Sequence, residues 1–504
     1  MHALALPTQA ASLDEVLAHY ARLQPEAVAL VFDAQSWTYA ALYRRVAIMA
    51  EHLQRAQGIV PGDRVVWLGL NHPVQLALLF ALARLGAMLV PLNYRLAPAE
   101  WTAVCVDCEP RLVVHDTVWT QAAQALAQGR HIPAWPAHAL GEEKAGAHDR
   151  LMPPRPTVAP ALLVYTSGTT GTPKGAVHTQ GNLLANMRMA QHGQGMTSRD
   201  TVLTVLPLFH VGGLCLQTLP ALYAGARVIL HARFDPAATL RCIARDSPNL
   251  TLQVPATLKA LVEHPDWQGT RLDSLRAVWA GSSTLPQDLV DAFHARSVPV
   301  CNVYGATETG PFSVALDEQH AMTHPGSCGW PAQGVTLKRV NVQAEVGELC
   351  LRAPNIVGHY WPDIPAVDAE GWFHSGDLAY QASDGSWRIV GRAKDMIISG
   401  GENIYPAEIE NLLLMHADVA DCAIIGLPDP QWGEAVVAVV VMQTGRTLDI
   451  AALTQFLGER LARYKLPRRY EVQAALPKTA LGKVQKAVLR DSLQAAGPAL
   501  ELGS

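Results

Sequence analysis

The chain has 504 residues, of which 49% are hydrophobic and 16% are charged, and its formal net charge is −5. This length exceeds what one hydrophobic core supports, so two or more domains are expected, and the composition excludes a disordered protein. The small negative charge gives no general reason to expect nucleic-acid binding. The eight cysteines lack the spacing of a disulfide framework, which predicts buried thiols in a reducing compartment.

No segment of the sequence has the pattern of a membrane anchor or a secretory signal. Residues 1–7 lack both a basic region and a long apolar region. The most apolar stretch, residues 76–92, is interrupted by Arg84 and Gly86 and is short for a bilayer span, so it is interpreted as a buried helix followed by a strand. The sequence therefore predicts a cytoplasmic protein without a transmembrane segment.

Short apolar strands alternate with amphipathic helical patterns through the first three quarters of the chain. This alternation predicts α/β layers with largely parallel sheets. The strands are predicted at residues 65–70, 162–165, 201–206, 227–230, 250–253 and 277–280.

A segment rich in glycine and hydroxyl side chains follows the second of these strands and precedes a helix predicted from about residue 180. Residues 165–175 read Tyr-Thr-Ser-Gly-Thr-Thr-Gly-Thr-Pro-Lys-Gly. Glycine leaves backbone N–H groups open to an anion, and Lys174 adds a positive charge, so the segment predicts polyphosphate binding. A Walker A motif would have Ser or Thr after the lysine, and here Gly175 stands in that place.

The pattern changes near residue 391, beyond which a compact α+β arrangement is predicted. A helix is expected at 406–416, strands at 419–427 and 435–442, and a second helix at about 449–464. Such a region of about 110 residues is sufficient for a small domain. The predicted domains are residues 1–393 and 394–504.

Five segments resemble, in order and spacing, the core motifs of the adenylate-forming enzymes, which include acyl-CoA synthetases, adenylation domains of peptide synthetases and luciferases. The segments are residues 165–175, 304–310, 375–377, 391–403 and 477–483. The resemblance covers nearly the whole chain. It implies a large multi-sheet N-terminal domain and a small mobile C-terminal domain that swings about Lys394.

The resemblance also implies a two-step ligation of a carboxylic acid to a thiol, with ATP, Mg²⁺ and coenzyme A as cofactors. A carboxylate is a poor electrophile because oxide would have to leave. Attack of the carboxylate on the α-phosphorus of ATP gives an acyl-adenylate, from which a thiol can displace AMP. The first step depends on charge neutralisation and in-line positioning more than on a protein nucleophile.

Positions that match the family motifs are assigned to the nucleotide. Those implied to bind the β- and γ-phosphates are Thr166, Ser167, Gly168, Thr169, Thr170, Gly171 and Lys174. Those implied to form the adenine pocket, with Tyr304 stacking on the purine, are Gly281, Ser282, Ser283, Asn302, Val303, Tyr304 and Gly305. Thr307 is implied to contact the α-phosphate and Glu308 to place Mg²⁺. Asp377 should accept hydrogen bonds from the ribose hydroxyls, and Arg392 should assist at the ribose or phosphate.

The C-terminal domain is implied to serve each half-reaction with a different face. Lys483 is assigned as the adenylation lysine, and Lys478 is the nearest alternative, which the spacing disfavours. After the domain rotates, the residues implied to line the path of coenzyme A are Gly400, Gly401, Glu402 and Trp432.

The acyl pocket is assigned to Pro207–Gly213, where the family places a gate beside the acyl chain. His210 is expected to orient the carboxylate or to close the pocket, and the lining is assigned to Val211, Gly212, Gly213 and Pro311. Relatives that activate malonate carry an arginine where this chain has Val303. Because an unpaired buried carboxylate is costly, dicarboxylates are disfavoured, and fatty acids and aryl or arylalkenoic acids both stay open.

Two other functions are alternatives to a coenzyme A ligase. The first is a stand-alone adenylation enzyme that loads a carrier-protein thiol. The second is a non-catalytic nucleotide-binding protein on the same fold, against which the presence of Lys174, Glu308, Asp377 and Lys483 argues. The expected partners are a small carboxylic acid and coenzyme A, and the oligomeric state stays open, with a homodimer among the alternatives.

Overall fold

A computed structural model describes residues 5–140, 156–166, 174–281, 285–343, 345–399, 402–479 and 483–495. Within these ranges the chain forms a large α/β body built on three sheets, followed by a smaller α+β unit. This architecture confirms the predicted fold class.

The largest sheet has nine strands, and its six central strands are parallel to one another. Four of the predicted strands lie in this parallel part, as Thr201–Thr204, Arg227–Leu230, Leu250–Gln253 and Ala277–Gly281. In order across the sheet the strands are Trp330–Pro331, Val314–Ala315, Val300–Tyr304, Ala277–Gly281, Leu250–Gln253, Thr201–Thr204, Arg227–Leu230, Val28–Phe32 and Gln35–Thr38.

The second sheet has eight strands and carries the segment that flanks the phosphate motif. Its strands, in order across the sheet, are Ile364–Pro365, His359–Tyr360, Lys174–Thr179, Pro160–Thr166, Met88–Pro91, Arg64–Leu68, Leu112–His115 and Ala134–Pro136. The last five are parallel, and Lys174–Thr179 runs antiparallel to Pro160–Thr166. The sequence did not predict Lys174–Thr179 as a strand before the helix that begins at Gln180.

A third sheet, with four antiparallel strands, is formed by residues 336–392, a span that also contributes the two outer strands His359–Tyr360 and Ile364–Pro365 to the eight-stranded sheet. Its strands are Thr336–Gln343, Val346–Arg352, Phe373–Gln381 and Trp387–Arg392. The alternation that predicted the parallel sheets did not reveal this one.

The helices of the large body cover its sheets. They are Leu13–Leu23, Tyr39–Gln57, Pro73–Leu85, Pro98–Cys108, Thr120–Gln128, Gln180–Gly193, Val211–Gly213, Leu219–Ala224, Pro236–Asp246, Pro255–Val262 and Gln287–His294. Every residue of Pro73–Leu85 is buried, which explains the apolar stretch in the sequence. Over the residues described, no helix is both long and apolar enough to cross a bilayer. All eight cysteines are buried and free.

The C-terminal unit has its own hydrophobic core. Its strands are Ile397–Ser399, Glu402–Ile404, Val419–Asp429, Gly433–Met442 and Arg469–Val472, and its helices are Pro406–Leu414, Ile450–Gly458 and Lys486–Ala495. The predicted helix at 406–416 and the two predicted strands match this pattern within two residues. The second predicted helix is shorter than expected and ends at Gly458.

Candidate active site

The candidate residues converge because three sheets and the C-terminal unit meet around one region. Thr166 and Lys174 lie in the eight-stranded sheet, where they are register partners at the ends of two antiparallel strands. The Thr166 hydroxyl donates to the Lys174 carbonyl at 3.3 Å. This pairing forms the base of the phosphate motif; the assigned residues Ser167, Gly168, Thr169, Thr170 and Gly171 lie outside the described residues.

Glu308 belongs to a short 3₁₀ turn, Thr307–Thr309, that follows strand Val300–Tyr304 of the nine-stranded sheet. Its carboxylate accepts a hydrogen bond from the hydroxyl of Tyr360 at 2.9 Å. The ammonium nitrogen of Lys174 lies 5.6 Å from the centroid of the Tyr360 ring. Tyr360 therefore stands beside both an assigned phosphate ligand and the assigned metal ligand. The sequence analysis did not single it out.

Asp377 is buried on strand Phe373–Gln381, directly across from Arg392 on the neighbouring strand. Its carboxylate lies 2.6 Å from the Arg392 Nε and accepts the Tyr304 hydroxyl, also at 2.6 Å. Burial raises the pKa of Asp377, and Arg392 opposes that rise. Gly376, at a φ of +67°, turns the backbone beside this carboxylate in a conformation that favours glycine. Asp377 is therefore an ionisable hydrogen-bond acceptor held in place by the antiparallel sheet.

The assigned adenine residues lie at the ends of two adjacent parallel strands. Gly281 pairs with Val303, and a Cβ atom at Gly281 would clash with the Val303 carbonyl. A Cβ atom at Gly305 would clash with the carbonyl of Pro311 in the same way. Both glycines therefore permit close backbone approach. Asn302 has a structural contact that the sequence did not predict, since its amide donates to the Ser327 carbonyl at 3.0 Å. Ser282 and Ser283 lie outside the described residues.

His210 stands at the N-terminus of a helical segment that runs from Val211 to Ala224 and contains a π-helical turn at Leu214–Thr218. Its ring Nε2 is buried without a hydrogen-bond partner among the described residues. Burial lowers the pKa of His210 to about 3, and the positive charges of Lys483 and Arg95 act in the same direction. The imidazole is therefore neutral near pH 7 and can orient an acid without adding charge.

The two glycines after His210 have different surroundings. A Cβ atom at Gly213 would clash with the Pro207 carbonyl, so this glycine lets the helix approach the preceding loop. A Cβ atom at Gly212 would meet nothing within 4 Å, so open space lies beside it. Val211 is buried. The side of this segment at Gly212 is therefore open, and a side chain at position 212 would occupy that space.

The π-helical turn is stabilised by side chains that satisfy its displaced carbonyls. Asn186 donates to the Cys215 carbonyl at 2.8 Å, and Gln194 donates to the Leu216 carbonyl at 2.6 Å. Single π turns occur frequently at functional sites because they re-aim a helix face. Asn186 also accepts the N–H of Phe312, the residue after Pro311, at 3.0 Å. Asn186 thus joins the π-helical turn, which follows Gly213, to the residue that follows Pro311.

Lys483 brings the C-terminal unit to this site. The residue as a whole is exposed, whereas its ammonium group is desolvated, and this desolvation is the main cause that lowers the pKa of Lys483. The positive charge of Arg392 lowers that pKa further, and the negative charges of Asp377 and Glu308 oppose the change. Lys478 instead forms an ion pair with Asp421 at 2.6 Å within its own domain. The structure therefore places Lys483, and not Lys478, beside the other candidates.

The residues assigned to coenzyme A lie elsewhere on the C-terminal unit. Glu402 pairs with Ser399 across one hairpin, and Ser399 pairs with Gly433, the neighbour of Trp432. The Trp432 ring is covered by the Arg468 guanidinium, whose carbon lies 3.9 Å from the ring centroid. Gly400 and Gly401 lie outside the described residues. Glu402 thus lies on the small C-terminal sheet, and Trp432 lies in the turn directly before one of its strands, Gly433–Met442.

Comparisons with known proteins agree with this geometry. The sequence model of the family described as AMP-binding enzyme matches residues 17–361. The family model described as AMP-binding enzyme C-terminal domain matches residues 408–483. An indoleacetate–CoA ligase from Aromatoleum aromaticum is 41% identical over 493 residues, which cover 94% of this chain and 96% of that protein. A feruloyl-CoA synthase from Amycolatopsis sp is 40% identical over 484 residues, which cover 93% and 96% of the two chains.

A solved structure shows the same fold over almost the whole chain. The o-succinylbenzoate CoA synthetase of Bacillus subtilis, bound to its acyl-adenylate intermediate, aligns with a TM-score of 0.86 and 30% identity, covering 97% of this chain and 99% of that one. The fold and site therefore define an adenylate-forming acid–thiol ligase. This chain belongs to the AMP-binding enzyme family, and it acts as an acyl-CoA ligase that uses ATP with Mg²⁺ and coenzyme A.

Proposed function

We propose that the protein ligates an aromatic monocarboxylic acid to coenzyme A through an aryl-adenylate. The observation that carries this proposal is the open space beside Gly212, directly after the neutral His210, which leaves room for a planar ring next to the carboxylate. The names of the relatives described above, an indoleacetate–CoA ligase and a feruloyl-CoA synthase, support the same substrate class. Val303, an apolar residue, offers no partner to a second carboxylate.

The roles proposed for the individual residues follow from their charges and placement. Lys174 would neutralise the terminal phosphates, and Asp377 would accept the ribose hydroxyls. Mg²⁺ would neutralise phosphate charge as a hard cation, and Glu308 with water is a suitable ligand set for it. Lys483 would stabilise the negative charge that accumulates between the attacking carboxylate and the α-phosphate.

A substrate panel tests this proposal. Pyrophosphate release and thioester formation would be measured with MgATP and coenzyme A for indole-3-acetate, ferulate, benzoate, short- to long-chain fatty acids and malonate. We expect kcat/KM for the best aromatic acid to exceed that for any fatty acid by at least about tenfold, because each poorly filled methylene-sized volume costs about 1–3 kcal/mol. A preferred fatty acid would refute the aromatic assignment. Pyrophosphate release without thioester would instead indicate a carrier-protein thiol as acceptor.

We also propose Lys394 as the hinge about which the C-terminal domain rotates between half-reactions. It is exposed in a single 3₁₀ turn, Ala393–Asp395, between strands Trp387–Arg392 and Ile397–Ser399. Proline at this position would fix φ near −65° and so limit the rotation.

Lys394→Pro is expected to slow thioester formation from preformed acyl-adenylate by at least about tenfold, equivalent to about 1.4 kcal/mol, while adenylate formation changes much less. Single-turnover assays of each half-reaction would measure this split, with Lys394→Ala as the control that retains backbone freedom. Equal thioester formation by the proline variant and the wild type would exclude position 394 as the hinge.

A further inference from the structure

A connecting segment, residues 354–361, ties together three parts of the large body that contribute to the site. The Asn182 amide, at the start of helix Gln180–Gly193, donates to the carbonyls of Pro354 and Ile356 at 3.0 and 2.9 Å. The Val357 N–H donates to the Glu308 carbonyl at 2.9 Å. At the other end, the Trp361 N–H donates to the Gly175 carbonyl at 2.7 Å. The segment is therefore fixed at its start by the Asn182 side-chain amide and farther along by two backbone hydrogen bonds.

Tyr360 lies on this fixed segment and pairs with Ala176 on the strand that begins at Lys174. Its hydroxyl donates to the Glu308 carboxylate, and its ring faces the Lys174 ammonium. The Tyr360 side chain thus contacts the Glu308 carboxylate through its hydroxyl group and the Lys174 ammonium through its ring.

We propose that Tyr360 is a positioning residue that holds Glu308 and Lys174 apart, each oriented for the magnesium complex of ATP. This proposal rests on the roles proposed above for those two residues. Without the phenol between them, the half-buried Glu308 carboxylate and the exposed Lys174 ammonium would be free to form a direct ion pair. That ion pair would have to break before the metal and the phosphates could bind.

The two contacts of Tyr360 predict separable effects. The hydroxyl acts on Glu308 and hence on the metal, whereas the ring acts on Lys174 and hence on the phosphates. Tyr360→Phe removes only the hydroxyl, and Tyr360→Leu removes both contacts. Tyr380→Phe is the matched control, because Tyr380 is a half-buried tyrosine on strand Phe373–Gln381 for which no hydroxyl contact to these residues exists.

The test is calorimetric titration of the full chain with ATP, in the presence and absence of Mg²⁺ and without any acid substrate, so that no turnover occurs. Tyr360→Phe is expected to weaken binding of MgATP by about tenfold, the effect of losing one hydrogen bond to a charged group, and to leave metal-free ATP within about twofold. Tyr360→Leu is expected to weaken both forms. Tyr380→Phe should match the wild type in both titrations.

A double-mutant cycle with Glu308→Gln tests whether the hydroxyl acts through that carboxylate. Combined with Glu308→Gln, Tyr360→Phe is expected to add little further loss of MgATP affinity. Additive losses would overturn the positioning role, as would wild-type MgATP affinity in Tyr360→Phe. If Glu308→Gln itself retained wild-type MgATP affinity, the proposed metal assignment would fail together with the role of Tyr360, which distinguishes this result from failure of Tyr360 alone.

Discussion

Replacing Lys483 with alanine is expected to slow acyl-adenylate formation by about 10²–10³-fold, the typical cost of removing one preorganised electrostatic stabiliser. The lysine is the residue through which the C-terminal unit affects the electrostatics of His210 and Asp377 on the large body. Its charge is proposed to lie where negative charge accumulates as the acid attacks ATP. Pyrophosphate exchange in the presence of the acid substrate would measure the loss.

Lys478, in the same segment of the chain, provides the control for the Lys483 prediction. Lys478→Ala removes a lysine that pairs with Asp421, away from the site, and should leave adenylate formation nearly unchanged. Thioester formation from preformed acyl-adenylate should survive Lys483→Ala, because the second half-reaction is proposed to use another face of the domain. An equal loss of rate in both half-reactions would refute the proposal that the domain uses different faces for them.

The lowered pKa of Lys483 gives this prediction a pH signature. The ammonium is charged below its folded-state pKa and loses its charge as the pH rises through that value. Adenylate formation by the wild type should therefore decline on the alkaline side at a lower pH than an ordinary lysine would dictate. Lys483→Ala should lack this alkaline decline. A rate profile with the same decline in both proteins would assign it to another group.

Replacing Asp377 with asparagine is expected to lower kcat/KM for ATP by about 10–100-fold, because charge-assisted hydrogen bonds are worth about 1.5–3 kcal/mol. The same change should leave the folded protein at least as stable as the wild type. The reason is that the pKa of Asp377 is raised by burial, so the folded state binds this proton more tightly than the unfolded chain does. Ionisation of Asp377 thus opposes folding above its unfolded pKa.

Thermal unfolding and ATP titration of the same Asp377→Asn preparation would separate function from stability. Asp384→Asn is a suitable control, since Asp384 lies at the surface in the turn after the same strand. A parallel fall in melting temperature and ATP affinity would mean that Asp377 acts mainly on the fold, through Arg392 and Tyr304. An unchanged affinity would exclude it from the ribose site.

The parallel sheets and the C-terminal unit could be predicted from sequence because their signals are local. Strands such as Leu250–Gln253 are short apolar runs bounded by helical patterns, and neighbouring elements in the chain are also neighbours in the sheet. The antiparallel sheet that carries Asp377 lacks this regularity. One of its strands, Thr336–Gln343, is half-exposed and mixes charged with apolar residues, so no period of two stands out.

The candidate site residues that lie in sequence motifs could be predicted. Residues that reach the site only through a contact with a distant part of the chain were missed. Lys174, Glu308 and Asp377 lie in short segments rich in glycine and hydroxyl residues. Tyr360 lies in a two-residue strand, and its hydrogen-bond partner Glu308 is 52 positions away in the sequence. The same holds for the pairing of Asp377 with Tyr304, because no local pattern specifies which distant side chains share a hydrogen bond.

The two large sheets end in strands that are poor templates for association with another chain. Three of their four outermost strands, Trp330–Pro331, Ile364–Pro365 and Ala134–Pro136, have only two or three residues and contain proline. Proline cannot donate a ladder hydrogen bond, and a short edge offers few free backbone groups. Extensive parallel sheets fold slowly and leave partly formed edges exposed. In this protein the short, proline-containing outer strands protect such edges against edge-to-edge aggregation.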